Sequence, residues 1–153
     1  MNKISEHITY NEATHSETAK RRGIDNTPTA EQLRRMVAVA NAIFEPTRNH
    51  FGSPIGVNSF FRSEALNTAV GGAKQSQHVL GEAIDMDADK YGTPTNKAIF
   101  DFIRANLPFD KLIWEFGDDE NPDWVHVSHR LAGNRREVYR ASRVNGKTVY
   151  TRI

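Results

Sequence analysis

The chain has 153 residues, of which 38% are hydrophobic and 25% are charged, and its formal net charge is +1. This length and composition are typical of one globular domain with a substantial core, and we expect a single domain over residues 1–153 that is a monomer. The near-neutral charge gives no support for nucleic-acid binding. The absence of cysteine excludes disulfides and thiolate metal ligands.

The N-terminal residues lack the apolar segment of a secretory signal, and no apolar run approaches the length of a transmembrane helix. We therefore expect synthesis in the cytoplasm and no membrane insertion. Residues 1–28 are polar and carry short helical signals. Thr9 and Glu12 have the spacing of a capping box, and Gly23 is suited to ending a helix.

The strongest helical pattern covers residues 29–50. Thr29 and Gln32 form a second capping-box pattern at its start. Apolar residues recur at helical spacing and are interpreted as a buried stripe: Leu33, Met36, Val37, Ala40, Ile43 and Phe44. Pro46 is predicted to kink or shorten this helix, because proline cannot donate a backbone hydrogen bond.

Shorter elements follow along the chain. Residues 55–60 are predicted to form a strand that leads to Arg62, and Ser63 is predicted to cap a short helix that ends before the Gly71-Gly72 pair. A further helix is predicted to begin at Thr93-Pro94 and to end before Pro108. Residues 111–116 are predicted to form another strand.

The remaining strands carry polar side chains. Residues 83–86 read as a short buried strand, and residues 124–128 alternate so that Trp124, His126 and Ser128 share one face. Residues 144–147 have the sequence of a hairpin turn within a C-terminal β-hairpin over residues 134–153. The sequence thus predicts an α+β fold in which helices pack on one side of a small, mostly antiparallel sheet.

Three residues are candidate ligands of a catalytic metal: His78, Asp85 and His126. Two imidazoles and a carboxylate suit zinc, and three protein ligands leave a fourth position for water. Gly81 permits a turn that brings the first two ligands together. The spacing alone is equally compatible with side chains that are merely solvated or hydrogen-bonded.

Two acidic residues are candidates for further roles. Asp123 lies three residues before His126 and is a candidate general base, although it could instead cap the turn after Pro122 or bond a backbone amide. Glu115 lies in an apolar strand. It could be an edge-exposed or salt-bridged residue, or it could support the metal site or contact the amino group of a substrate.

Basic residues accumulate toward the C-terminus: Arg130, Arg135, Arg136, Arg140, Arg143, Lys147 and Arg152. A solvated hairpin face explains them, and weak attraction to anionic cell-wall polymers is the alternative. The other histidines lack partner spacing and are expected not to bind metal: His7, His15, His50 and His129.

The pattern Ser-x-His-x-x-Gly-x-Ala-x-Asp over residues 76–85, followed by Asp-Trp-Val-His over residues 123–126, resembles the M15 family of zinc peptidases. This family includes D-alanyl-D-alanine carboxypeptidases and L-alanyl-D-glutamate endopeptidases that act on bacterial peptidoglycan. The similarity is to its compact branch, which is often phage-encoded, and it runs from about Ser5 to Ser128. Supporting stretches lie at residues 58–63, 67–72 and 109–117.

The resemblance implies one zinc ion per chain, held by His78, Asp85 and His126. It implies that Asp123 is the general base and that Arg62 binds the substrate or stabilises the developing oxyanion. Some relatives carry a catalytic histidine two residues before the acidic residue, and that position is Asn121 here. Because an amide cannot supply a proton at neutral pH, a histidine-assisted step is in doubt.

Substrate-binding candidates are Arg62, Ser76, Gln77, Glu115 and Trp124. The expected function is hydrolysis of peptide bonds in peptidoglycan stem peptides, as in an endolysin, after release from the cytoplasm by phage lysis or virion delivery. One alternative is a non-catalytic binding module that retains a zinc site in the same fold. Another is a peptidase or amidase that acts on other small peptides.

Overall fold

The computed structural model describes residues 2–153, so Met1, the first residue of the predicted N-terminal segment, lies outside the described residues. This segment opens with two strands that the sequence did not predict, β1 (Lys3–Ser5) and β2 (Ile8–Thr9), which pair in a small antiparallel sheet. Helices α1 (Tyr10–Thr14) and α2 (Glu17–Arg22) follow. The predicted capping box begins α1, and Gly23, with a φ of 66°, ends α2.

The long helical stretch consists of α3 (Ala30–Val39), a π-helical turn (Ala40–Phe44) and α4 (Glu45–Phe51). The capping box predicted at Thr29 is present. The helical path continues past Pro46, which lies in the first turn of α4, where its missing N–H is tolerated. The predicted interruption therefore takes the form of a wider turn just before the proline.

In the rest of the chain, most of the helices and strands have bounds that lie close to the predicted ones. Its elements are β3 (Gly56–Ser59), α5 (Glu64–Ala69), α6 (Gln77–Leu80), β4 (Ala83–Asp87), a 3₁₀ turn (Asp89–Tyr91), α7 (Asn96–Asn106), β5 (Lys111–Glu115), β6 (Trp124–Ser128), β7 (Glu137–Val144) and β8 (Lys147–Arg152). Helix α6 was not predicted. Helix α7 begins with Thr95 as its N-cap, slightly later than expected.

The main sheet has six strands in the order β3-β4-β6-β5-β7-β8. Its neighbouring strands are antiparallel except for β5 and β7, which are parallel. The predicted α+β class with a mostly antiparallel sheet is confirmed. Strands β4, β6 and β5 each pair with a strand on both sides, so their backbones are fixed by ladder hydrogen bonds and their side chains start from fixed positions.

The two faces of this sheet differ. One face packs against α3 and α7, and its side chains belong to the core: Ile84, Met86, Leu112, Trp114, Val125 and Val127. The other face carries the polar residues, among them Asp85 and His126, which lie directly opposite each other on β4 and β6. The described chain contains no helix that is long and apolar enough to cross a membrane.

Candidate active site

The structure brings the three predicted metal ligands together. His78 lies on α6, Asp85 on β4 and His126 on β6, and each offers a ligand atom within 4.8 Å of the others. The Asp85 Oδ2 atom is 3.3 Å from His78 Nε2, and Oδ1 is 2.9 Å from His126 Nδ1. Gly81, with a φ of 80°, ends α6 and turns the chain into β4, as predicted.

The two ring nitrogens of His78 have different environments. Its Nδ1 lies 2.6 Å from the carbonyl oxygen of Phe60. Because a carbonyl can only accept, Nδ1 carries the hydrogen and Nε2 presents a lone pair. This Nε2 is buried and has no hydrogen-bond partner among residues 2–153. A buried acceptor without a partner is costly, and a histidine oriented by a backbone carbonyl is the usual arrangement of a metal ligand.

The charge state of Asp85 also suits a cation. Burial by itself would raise the pKa of this carboxyl, but the adjacent imidazoles of His78 and His126 hold the pKa well below its ordinary value. Asp85 is therefore an ionised carboxylate at neutral pH although it is only 8% exposed. The three residues thus combine the nitrogen and oxygen donors that suit zinc.

Arg62 is fixed beside this group. Its Nε donates to Ser59 Oγ at 3.3 Å and its Nη1 donates to Asn67 Oδ1 at 3.0 Å, while Nη2 lies 4.0 Å from Asp85 Oδ2. A Cβ atom on Gly72 would lie 2.8 Å from Nη1 and 2.0 Å from Asn67 Oδ1, so the absence of a side chain there is required. The guanidinium is therefore held in one orientation at the edge of the metal group.

These residues open into a cavity of about 590 Å³. Its walls include all three ligand candidates and five of the other predicted site residues: Arg62, Ser76, Gln77, Glu115 and Trp124. Ser76 Oγ accepts the His78 backbone N–H at 3.2 Å, and the Gln77 side chain donates to Asp110 at 3.1 Å. Both residues thereby fix the start of α6, which carries His78.

Glu115 is the acidic residue that joins the ligand candidates in this cavity. It lies on β5 between β6 and β7, so the edge-strand interpretation is wrong. Burial raises the pKa of its carboxyl to about 7. The neighbouring His126 and Arg62 oppose this rise, and the negative charge of Asp85 adds to it. A carboxyl that titrates near neutrality is suited to accepting and returning a proton.

Asp123 has a different position. It is exposed and lines a neighbouring cavity of about 600 Å³ together with Arg140 and Arg143. Its backbone N–H donates to the carbonyl of Glu115 at 2.9 Å. Asp123 lies in the bend just before β6, so the alternation of side chains along that strand does not fix its direction relative to His126. The geometry does not bring Asp123 to the ligand group, and its role as the base stays a prediction.

Asn121 also lies away from the ligands. Its side-chain amide donates to Asp89 Oδ2 at 2.6 Å and its Oδ1 accepts the backbone N–H of Lys97 at 2.8 Å. The residue therefore fastens the loop before β6 to the start of α7. Its position gives it no contact with the cavity that holds His78.

A comparison with protein-family models gave one match, to the family described as Peptidase M15, over residues 6–128. The matched region contains every ligand candidate and most of the main sheet. The chain belongs to the peptidase M15 family. M15 proteins are zinc peptidases, and His78, Asp85 and His126 form the candidate zinc site of this M15 peptidase. A search of curated proteins found no match.

One wall of the cavity lies largely outside the matched region. Residues of the β7–β8 hairpin line it, namely Tyr139, Arg143, Thr148 and Tyr150, together with Lys111 at the start of β5. These residues are not among the predicted site residues, because the basic residues of the hairpin were interpreted as a solvated face. Only the pairing of β7 with β5 places them beside the ligands, and no local pattern indicates that pairing.

A second group of possible ligands consists of Glu6, His7 and Glu45. Ser5 Oγ and the His7 backbone N–H donate to Glu45 Oε1 at 2.7 and 2.6 Å, and His7 Nδ1 lies 2.7 Å from Oε2. Burial would raise the pKa of Glu45, but these contacts lower it. The buried carboxylate is already satisfied, so this group serves to fasten the β1–β2 turn to α4.

Proposed function

We propose that this M15 peptidase is a zinc-dependent hydrolase that cleaves peptide bonds in the stem peptides of bacterial peptidoglycan, as a D-alanyl-D-alanine carboxypeptidase or an L-alanyl-D-glutamate endopeptidase. The observation that carries the metal assignment is the buried, unpartnered Nε2 of His78 beside the ionised Asp85. The substrate assignment is supported by the similarity of residues 76–85 and 123–126 to the compact, phage-type branch of the family.

His78, Asp85 and His126 would hold the zinc ion. When bound, zinc supplies Lewis-acid chemistry, which polarises a carbonyl group and makes water more acidic. Arg62 contributes a planar set of donors, already oriented by Ser59 and Asn67, to a substrate carboxylate or to the oxyanion that forms during hydrolysis.

We assign the proton transfer to Glu115. Its carboxylate lines the same cavity as the three ligands, whereas that of Asp123 lies on a neighbouring cavity. The Glu115 carboxylate takes a proton from the attacking water and then gives it to the amine of the leaving peptide. The carboxylate is thereby regenerated in each turnover. Burial suits it to this exchange because the carboxylate is poorly solvated and thus a stronger base.

Two isosteric variants separate the candidates for the base. Glu115→Gln and Asp123→Asn should both remain folded and retain one zinc per chain, because neither residue is a ligand. Hydrolysis of purified stem peptides should fall by about 10²-fold or more in Glu115→Gln and should be nearly unchanged in Asp123→Asn. The reverse pattern would assign the proton transfer to Asp123.

Mass spectrometry of fragments released from purified cell walls identifies the bond. Release of free D-alanine indicates carboxypeptidase action, and a new N-terminal D-glutamate indicates endopeptidase action. A zinc-loaded wild-type protein that binds stem peptides but releases no fragment would contradict the proposed hydrolysis and would favour a non-catalytic binding module.

A further inference from the structure

The β7–β8 hairpin supplies a wall of the cavity that the family match does not include, and its register places Tyr150 near the catalytic group. Trp124 pairs with Glu115, Glu115 with Ala141, and Ala141 with Tyr150, so the four residues form one row across β6, β5, β7 and β8. Directly paired residues point to the same face of a sheet. Ala141 is small, and it leaves space for the Tyr150 ring to extend toward Glu115.

The hydroxyl group of Tyr150 is available to a ligand. Among residues 2–153 it makes no hydrogen bond, whereas the hydroxyl of Tyr139 donates to Glu137 at 2.7 Å. Burial of the phenol raises the pKa of Tyr150, and the negative charge of Glu115 adds to the rise. Tyr150 and Glu115 line the same cavity, although 55% of Tyr150 is exposed.

The hairpin wall is also cationic. Arg143 lines the cavity, and its guanidinium lies 4.7 Å from the centre of the Phe116 ring. Lys111 also lines the cavity, and its Nζ atom lies 5.9 Å from the centre of the Tyr139 ring. Within the described chain neither cation has a carboxylate partner within 4.0 Å. The acidic residues of the cavity, Asp85 and Glu115, lie on β4 and β5 rather than on the hairpin. The wall thus offers hydrogen-bond donors and uncompensated positive charge.

We propose that the β7–β8 hairpin binds a carboxylate group of the peptide, with the Tyr150 hydroxyl and the Arg143 guanidinium as its donors. This inference rests on the proposed function, since it assumes that a peptide enters the cavity. A stem peptide with lysine at its third position has two carboxylates that could fill this position, the one on D-glutamate and the one at the C-terminus. The same chemistry serves either, and amidation of each distinguishes them.

The test measures binding to the metal-free protein, which separates recognition from hydrolysis. Isothermal titration uses three synthetic stem pentapeptides: one with both carboxylates free, one amidated at D-glutamate and one amidated at the C-terminus. One of the two amidations should weaken binding by about 10-fold or more, because hydrogen bonds to a charged group are among the strongest. Tyr150→Phe and Arg143→Gln should each weaken binding of the peptide whose carboxylates are both free. Each variant should also reduce the difference in affinity between that peptide and the amidated peptide that the wild type binds weakly.

Lys147→Gln is the matched control, since it removes a positive charge from the same hairpin at a residue that does not line the cavity. It should leave the preference unchanged. Because Tyr150 is half-exposed, its phenylalanine variant should keep the wild-type melting temperature. Equal affinity of the wild type for all three peptides, absence of binding, or an undiminished preference in both hairpin variants would overturn the inference.

Parallel hydrolysis assays with the zinc-loaded protein keep the two proposals apart. If the zinc-loaded protein cleaves the peptides but the titrations show no carboxylate preference, the proposed function is supported and the hairpin site is contradicted. If the titrations show a carboxylate preference but no peptide is cleaved, the hairpin site is supported and the proposed function is contradicted.

Discussion

Removing the charge of Asp110 should destabilise the fold at neutral pH and less so in acid. Its side chain is fully buried at the start of β5 and accepts hydrogen bonds from Arg135 and Gln77. Burial would raise the pKa of Asp110, but these hydrogen bonds lower it from 3.8 to about 2. A carboxyl whose pKa is lower in the folded than in the unfolded state stabilises the fold at pH values above the unfolded-state pKa. This contribution is lost as the pH falls toward 2.

The size of the effect follows from this pKa difference. One pKa unit corresponds to about 1.4 kcal/mol, so the lowering is worth about 2 kcal/mol. Because the Arg135 side chain is 45% exposed, solvent screening reduces this to about 1 kcal/mol. Asp110→Asn also disturbs a buried hydrogen-bond group, so we expect a loss of about 2–4 kcal/mol at pH 7.

Urea unfolding of the metal-free protein between pH 2.5 and pH 7 tests both numbers. The difference in unfolding free energy between the wild type and Asp110→Asn should narrow by about 1 kcal/mol as the pH falls from 6 to 2.5. The metal-ligand candidates titrate alike in both proteins, so their contribution cancels from this difference in unfolding free energy. Asp101→Asn, which breaks an exposed ion pair with Lys97, serves as the control and should change little. A difference that stays constant or widens in acid would refute the reasoning.

Three further outcomes are expected. Gly81→Ala should destabilise the protein by about 2–4 kcal/mol in thermal unfolding, because residue 81 has a positive φ and its new Cβ would lie 2.6 Å from the Gln32 carbonyl oxygen. Gly23→Ala is the control: residue 23 also has a positive φ, but its Cβ would meet no neighbouring atom, so the substitution should cost about 1 kcal/mol. Arg62→Lys should lower turnover about 10-fold or more and leave the melting temperature nearly unchanged, since lysine lacks the planar fork; equal turnover would contradict its role. Zinc at 100 times its Kd should stabilise the wild type by about 2.7 kcal/mol and should not stabilise His78→Ala, as measured by calorimetry and metal analysis.

Local signals in the sequence were sufficient for most of the elements. The capping boxes at Thr9 and Thr29 and the left-handed glycines at Gly23 and Gly81 act through contacts a few residues apart, so they can be read directly. The parallel pairing of β5 with β7 involves residues about 26 positions apart and has no local signal. The hairpin wall of the cavity could not be predicted for that reason.

The candidate site residues show a similar division. The spacing of His78, Asp85 and His126 left their grouping open, and the resemblance to the family pattern led to the prediction that they lie together, as the structure shows. The sequence favoured Asp123 over Glu115 because proximity along the chain and the family pattern were the available criteria. The position of Glu115 in the cavity depends on the pairing of β5 with β6, which no local pattern indicates, and the choice between the two acids stays a prediction.

The strand order has a consequence for how the cavity opens. Within the main sheet of the described chain, the hairpin pairs with the remainder only through β7 and β5, and every residue of β8 is exposed. Such a unit can detach by local unfolding while β4, β6 and the metal candidates stay in place. Amide hydrogen exchange should therefore be fast in β8 and slow in β4 and β6. The breadth of the cavity would then vary on the timescale of hairpin opening, and a bulky peptide would gain a route of entry.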